Sequence, residues 1–337
     1  MASNSSIILQ PIKFKPIIKL TPWGGKRLVA LKQLDPHMSN IGESWELSAV
    51  EGDESVVDGG IFDGYTLTQL IGELKTRLVG KTIYQKFGTY FPLLIKYIDA
   101  KSDLSIQVHP NDEVAREYGY NNGKTEMWYI VEAGEGASLL FGLKPGASPE
   151  LLLNKVNDGT VCEMLKRHPV TNGDCFYIPA GQVHAICSNV FLIEIQQSSD
   201  LTYRIFDYNR PGLDGKPRQL HLEQAVKAID FHTTEHHRQQ YEQKPDSMNE
   251  LVNCPYFVTS LGCYQHPAEI DLGNRDSFTI LIAFEGLSTI SLDGSTPTHV
   301  VPGETLLLPA ESKHATIVPQ SPSCRFIEVH MDSGNDG

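Results

Sequence analysis

The stretch GDCFYIPAGQVHAI, residues 173–186, returns further along the chain as GETLLLPAESKHATI, residues 303–317. Both read Gly, five residues, Pro-Ala, three residues, His-Ala, which sets Gly173, Pro179 and His184 in register with Gly303, Pro309 and His314. Turn chemistry repeated at constant spacing after a short apolar run marks two copies of one β unit. Working outward, the runs FPLLIKYIDA, EMWYIVEAGEG, VFLIEIQQSS, TILIAFEG and CRFIEVHM are short, apolar and closed by turn residues. That is the pattern of an all-β sandwich or barrel. Residues 66–87 and 148–168 break it: their apolar residues recur at helical spacing, the second behind Ser148-Pro149, and both are expected as helical additions.

The copies differ upstream of the repeated turn. Eight residues before Gly134 stands Glu126, whereas eight before Gly286 stands Phe278, and position 311 is Glu where the first copy has Gly181. Chemistry is therefore expected in the first copy and packing in the second. The 337 residues suit about two domains. The expected division is 1–231, a polar connection 232–250, and 251–337. His232, His236 and His237 in that connection lack a neighbouring carboxylate or Cys that would complete a metal set, and a solvated linker is the expectation.

Composition excludes several classes of function. The formal charge is −13 and no Lys/Arg run occurs, so the attraction that drives binding to nucleic acid or an anionic membrane is missing. No apolar stretch reaches about 18 residues, and the six cysteines form no CxxC pair, as in a soluble cytoplasmic protein with reduced thiols. The GxSxG, GxxxxGK[ST], GxGxxG and HExxH signals are absent.

What remains is a set of polar residues near strand ends. In SIQVHPND, residues 105–112, Gln107 and His109 stand two apart on one strand face, and Pro110 holds His109 extended. Glu126 opens the next apolar run, and His184 follows the PAG turn. One amide oxygen, two imidazoles and one carboxylate suit Zn²⁺ in a catalytic site, although spacing alone leaves the metal open. Each residue also has an ordinary structural reading: a turn histidine at 109, a surface amide at 107, a surface Glu126–Lys124 pair, a core histidine at 184. Three segments converging favour the metal, because polar groups inside a barrel are costly unless paired or ligated.

The Gly-x5-Pro-x-Gly-x2-His spacing from Gly173 to His184 resembles the second motif of the cupins, small β-barrels of jelly-roll type. Within them, LLIKYIDAKSDLSIQVHPND, GKTEMWYI, IPAGQVHAI and IEIQQSSDLTYRIFDYNR together resemble the class I phosphomannose isomerases in their short bacterial form. The resemblance implies two cupin barrels and one zinc per chain on Gln107, His109, Glu126 and His184. The reaction it implies is interconversion of mannose 6-phosphate and fructose 6-phosphate through an enediol, with a sugar phosphate as the partner. It further implies that Lys96, Ser105 and Lys124 bind substrate and phosphate, and that Glu194 and Arg204 lie in the active site; Glu194 is the candidate base, with a metal-bound water as its rival. Trp23, Trp45 and Glu46 are expected as pocket wall and support. Lys96, Lys124 and Arg204 are the local cations that a phosphate needs in so acidic a chain. Two other classes remain: a cupin dioxygenase holding Fe²⁺ on two His and one carboxylate, and a sugar-phosphate binder without activity.

Overall fold

A computed structural model describes residues 9–232 and 237–332, and they are mostly β. Contacts divide the chain into two units that are discontinuous in sequence: residues 16–50 with 93–239, and residues 1–15, 51–92 and 240–337. The sequential boundary at 231 differs from this division because Ile12–Lys15 pairs with Thr305–Leu308 and with Val56–Val57. Long-range pairing of that kind leaves no local signal in the sequence.

In the unit containing residues 93–239, a six-stranded sheet runs in the order Cys175–Ile178, Glu126–Ala133, Val190–Gln197, Leu93–Ala100, Ile17–Gly25, Ile41–Leu47. A five-stranded sheet runs Leu165–Pro169, Ser138–Leu143, His184–Ile186, Ile106–Val108, Tyr203–Phe206. Alternation along Ser138–Leu143 shows how the layers form. Leu139 and Phe141 enter the core shared with Trp128, Ile130 and Leu192 of the other sheet. Leu140 turns outward, under Leu152 and Val156 of helix Pro149–Asn157 and Ala225 and Ala228 of helix Leu222–Ala228.

The other unit repeats the plan. Thr305–Leu308, Thr279–Glu285, Cys324–His330 and Val258–Tyr264 lie in the order of their counterparts Cys175–Ile178, Glu126–Ala133, Val190–Gln197 and Leu93–Ala100. Thr298–Val300, Ser288–Leu292, His314–Pro319 and Ala268–Asp271 likewise match four strands of the five-stranded sheet. The repeated turn thus marks a repeated topology.

Residues 66–87 form helices Leu67–Leu74, Thr76–Val79 and Lys81–Phe87, as expected. Residues 148–168 do so only in part. Ser148 caps Pro149–Asn157 by accepting from the Leu151 N–H at 3.2 Å, but Gly159 turns with φ +76, and Leu165–Pro169 joins the sheet edge. Apolar residues at the turn and in an edge strand had continued the helical spacing by coincidence.

Helix Lys81–Phe87 takes its cap from far away. Gly80 precedes it with φ +94, and Asp276 accepts the N–H groups of Lys81 and Thr82 at 2.6 and 2.8 Å. Those bonds outweigh burial and hold the Asp276 carboxyl below its usual range. Asp276→Ala is expected to cost about 1 kcal/mol in urea unfolding at neutral pH. The loss should shrink as pH falls through the lowered Asp276 pKa, where wild type also loses the charged cap. A difference that persists unchanged into acid would contradict the assignment.

The six cysteines are free thiols. No helix among the described residues is long and apolar enough to cross a membrane.

Candidate metal centre and its cavity

Two polar rows face each other between the sheets. On the five-stranded sheet, His184 stands opposite Gln107, and Gln107 opposite Arg204. Residues in one cross-strand row share a face, so a histidine, an amide and a guanidinium are presented in line. On the six-stranded sheet the row is Trp128, Glu194, Lys96, Trp45, with Glu126 two residues before Trp128 on the same face. The PAG turn delivers His184: Gly181 has φ +88, and a Cβ there would lie 3.2 Å from the Ala228 carbonyl oxygen.

His109, Glu126 and His184 converge, with ligand atoms all within 4.8 Å of one another. All three are buried, Glu126 completely. His184 Nε2 is 3.3 Å from Glu126 Oε1, and His109 Nε2 is 3.6 Å from Oε2. Each ring has its Nδ1 2.9 Å from a backbone carbonyl, Leu201 for His109 and Gln182 for His184. A carbonyl only accepts, so each Nδ1 carries the proton and each Nε2 directs a lone pair at the carboxylate. Burial and the Lys124 charge hold both imidazoles neutral, His109 well below its usual range and His184 at about 4.

Two lone pairs facing a carboxylate is an arrangement that a cation resolves. Glu126 Oε1, fully buried, accepts no hydrogen bond. Burial, and next the Glu194 charge, push the Glu126 carboxyl up to about 7 against the pull of Lys124, as expected where a carboxylate lacks part of its counter-charge. Backbone carbonyls fixing the ring tautomers are the usual outer support of metal-binding histidines. The residues therefore fit a metal ion with nitrogen and oxygen ligands.

Gln107 lies beside the triad, its Nε2 3.4 Å from His184 Nε2 and its Oε1 accepting from Ser105 Oγ at 3.3 Å. Turning the amide over would bring the oxygen to the ring nitrogens, an orientation that the hydrogen-bond network decides. Lys124 donates to Glu126 Oε2 and, at 3.1 Å, to His109 Nε2. The Glu126–Lys124 pair is thus buried and not at the surface.

Beyond the triad lies a polar cavity of about 240 Å³, lined among others by Lys96, Ser105, Gln107, Lys124, Glu194 and Arg204. Every residue singled out for substrate or catalysis from the sequence reaches it. Lys96 lies in an interior strand, 3.2 Å from Glu194 and 3.4 Å from Glu43, with Trp45 under its ammonium at 4.9 Å. Burial lowers its pKa, but Glu43 and Glu194 reverse that, so it stays charged. Glu194 also accepts from Trp128 Nε1 at 2.8 Å. Burial would raise its pKa, but Lys124 and Lys96 outweigh it and bring it to about 2. A carboxylate held there is a poor proton acceptor, which counts against Glu194 as the base. Trp23 lines the cavity. Glu46 instead pairs with Lys32 and accepts from Ser44, both at 2.6 Å.

Sequence reading missed Glu43, Asp200, Arg218 and His221, all of which line the cavity. Asp200 lay within the quoted stretch IEIQQSSDLTYRIFDYNR without being singled out, and Glu43 stands two residues before Trp45. In the connection, His236 lies outside the described residues. Exposed His232 pairs with Asp230, while the His237 ring packs edge-on against Phe141 at 4.2 Å.

The second unit shows what the diverged positions became. Phe278, counterpart of Glu126, is buried against Phe91 at 4.6 Å. Glu311 forms a bidentate pair with Arg77 at 2.5 and 2.8 Å, and Ala310 and Glu311 donate their N–H groups to Leu78 and Arg77. Helix Thr76–Val79 thereby covers the repeated turn, and His314 is exposed.

The family model described as phosphomannose isomerase type I, catalytic domain, matches residues 12–138. Mannose-6-phosphate isomerase ManA of Bacillus subtilis is 36% identical over 303 residues, 89% of this chain and 93% of that protein. A mannose-6-phosphate isomerase of Streptococcus mutans is 39% identical over 207 residues, 61% of this chain and 64% of that protein. The crystal structure of mannose 6-phosphate isomerase from Bacillus subtilis superposes with a TM-score of 0.85 at 31% identity, covering 96% of this chain and 100% of that one.

Proposed function

The chain belongs to the type I phosphomannose isomerase family and is an enzyme of that class, and from that premise we propose that it interconverts mannose 6-phosphate and fructose 6-phosphate. The single observation that carries the reading is the buried His109–Glu126–His184 triad, touched by Gln107 and Lys124, which line the polar cavity. We further take each unit as one cupin barrel, with chemistry confined to the unit that holds the triad.

Zinc is the proposed metal, held by His109, Glu126, His184 and the turned amide of Gln107. When bound it supplies a Lewis acid that polarises and orients the sugar oxygens at C1 and C2. The protein's part is position and charge. Lys96, kept charged by Glu43 and Glu194, and Lys124, which also lies beside Glu194, donate to oxygens of the sugar. Ser105 fixes the Gln107 amide. Arg204, next in the row after Gln107, offers its charge to the oxyanion that develops as the proton passes between C1 and C2. Glu194 is a positioning residue in this scheme.

Two histidines and a carboxylate are also the donor set of Fe(II) oxygenases. The two lysines and the arginine of the cavity favour a sugar phosphate. A coupled assay of fructose 6-phosphate formation from mannose 6-phosphate tests the reading, and zinc-loaded protein without turnover would remove it. Metal content separates the two units: His184→Ala is expected to lose most bound zinc by atomic emission, His314→Ala none. Zinc loss in the second variant would refute confinement of the metal to the first unit.

A further inference from the structure

The cavity has two electrically different ends. At the triad end, Lys96 and Lys124, with Lys19 acting on Asp200, face Glu43, Glu126, Glu194 and Asp200, three positive charges against four negative, a sum of −1. At the other end, Arg204 and Arg218 line the cavity, and Arg218 shares one carboxylate, Asp207, with Arg210 behind it, three positive charges against one negative, a sum of +2. Lys96 is already committed to two carboxylates, so its charge is not free to hold a phosphate dianion.

The arginine end is a built one. After Tyr203–Phe206 the chain loops out and returns: Pro211 and Pro217 bridge antiparallel, and Gly212 donates to the Lys216 carbonyl at 2.7 Å. The return brings Arg218 onto Asp207 through two bonds, Nε to Oδ2 and Nη2 to Oδ1, both 2.6 Å. Arg210 holds the same carboxylate at 2.7 Å. Arg218 and His221 both line the cavity. Arg204 joins them, its Nη1 donating to the Gln219 carbonyl at 2.9 Å while its buried Nε has no hydrogen-bond partner. The backbones of His184 and Arg204 are two strand spacings apart, roughly 10 Å, so a chain of carbons lying along the row spans from the metal triad to the arginines.

We propose that Arg218, oriented by Asp207 and seconded by His221, anchors the phosphate of the substrate, so that the charge gradient of the cavity sets which end of the sugar meets the metal triad. The proposal rests on the sugar-phosphate reading above. A phosphate carries about −1.5 to −2 at neutral pH, close to the surplus at this end, and a guanidinium fork held by a carboxylate from behind is pre-organised for its oxygens.

The test uses the zinc-loaded enzyme and inorganic phosphate as the probe. Arg218→Gln is expected to weaken phosphate binding at least tenfold by titration calorimetry. It should also raise KM for mannose 6-phosphate by a similar factor, with kcat changed less than threefold and zinc content retained. Phosphate affinity within twofold of wild type would overturn the proposal. Should that variant fail to fold, wild type decides: saturating phosphate should slow phenylglyoxal labelling of Arg218 several-fold by peptide mass spectrometry, and unchanged labelling would overturn it. Phosphate binding is read without turnover. Binding at Arg218 without isomerisation would remove the functional reading and leave the anion site standing, whereas isomerisation with unaltered phosphate affinity would remove the site alone.

Discussion

Dialysis against a chelator is expected to abolish isomerisation of mannose 6-phosphate, and added Zn²⁺ to restore it. The triad supplies the reason. His109 and His184 are neutral, both Nε2 lone pairs face Glu126, and Glu126 Oε1 is buried without a hydrogen bond. Lys124 alone cannot replace a divalent ion, because it donates to one carboxylate oxygen and one imidazole and leaves Glu126 Oε1 without a hydrogen bond. A Lewis acid contributes several kcal/mol to charge stabilisation, and each ~1.4 kcal/mol is tenfold in rate, so a fall of about a thousandfold or more should be seen. The apoprotein should remain folded, since the core of Trp128, Ile130, Phe141 and Leu192 does not depend on the ion. Circular dichroism checks that point. Full activity in protein shown to be metal-free would end the metal hypothesis.

How far the sequence could carry the reading depended on whether a residue's role is local. His109, Glu126 and His184, which converge, and Gln107 beside them could be singled out because each sits near a strand end marked by Pro, Gly or the start of an apolar run, and strand alternation fixes the side on which they lie. The contrast between Glu126 and Phe278 was readable because it appears as one substitution within a repeat. Arg218 was not, since its meeting with Asp207 requires the Pro211–Pro217 closure of a loop without periodicity. Asp200 lay inside a quoted stretch, but it follows the strand within a polar run, where no alternation marks the side it faces. The role of Lys96 changed for an electrostatic reason. Sequence reading saw a cation suited to phosphate, but the cross-strand neighbour Glu194 and nearby Glu43 claim its charge. The expectation that Glu194 is the base met the same difficulty from the other side of the pair. Pairings between residues distant in sequence decide such matters, and no local pattern encodes them.

Arg204→Ala is expected to lower kcat by a factor of about 10² to 10³, with zinc content unchanged, as for loss of one group that meets charge developing in the transition state. Arg204 stands directly across from Gln107, which itself stands across from His184, so its guanidinium lies next in line after the metal ligands without being one of them. Its buried Nε is unpaired, and burial with the nearby Arg218 charge lowers its pKa. An unpaired donor in a positive field binds an incoming oxyanion strongly because little reorganisation is needed when the charge appears. The substitution removes that term while sparing the fold, since Arg204 makes no ion pair among the described residues and its bond to the Gln219 carbonyl is exposed. Arg204→Lys should recover part of the rate, as a charge without the fork, and the size of that recovery separates charge from geometry. If kcat stays at the wild-type value and only KM rises, Arg204 belongs with Arg218 in holding phosphate, and the charge at C1 and C2 is met by Lys96 and Lys124 instead.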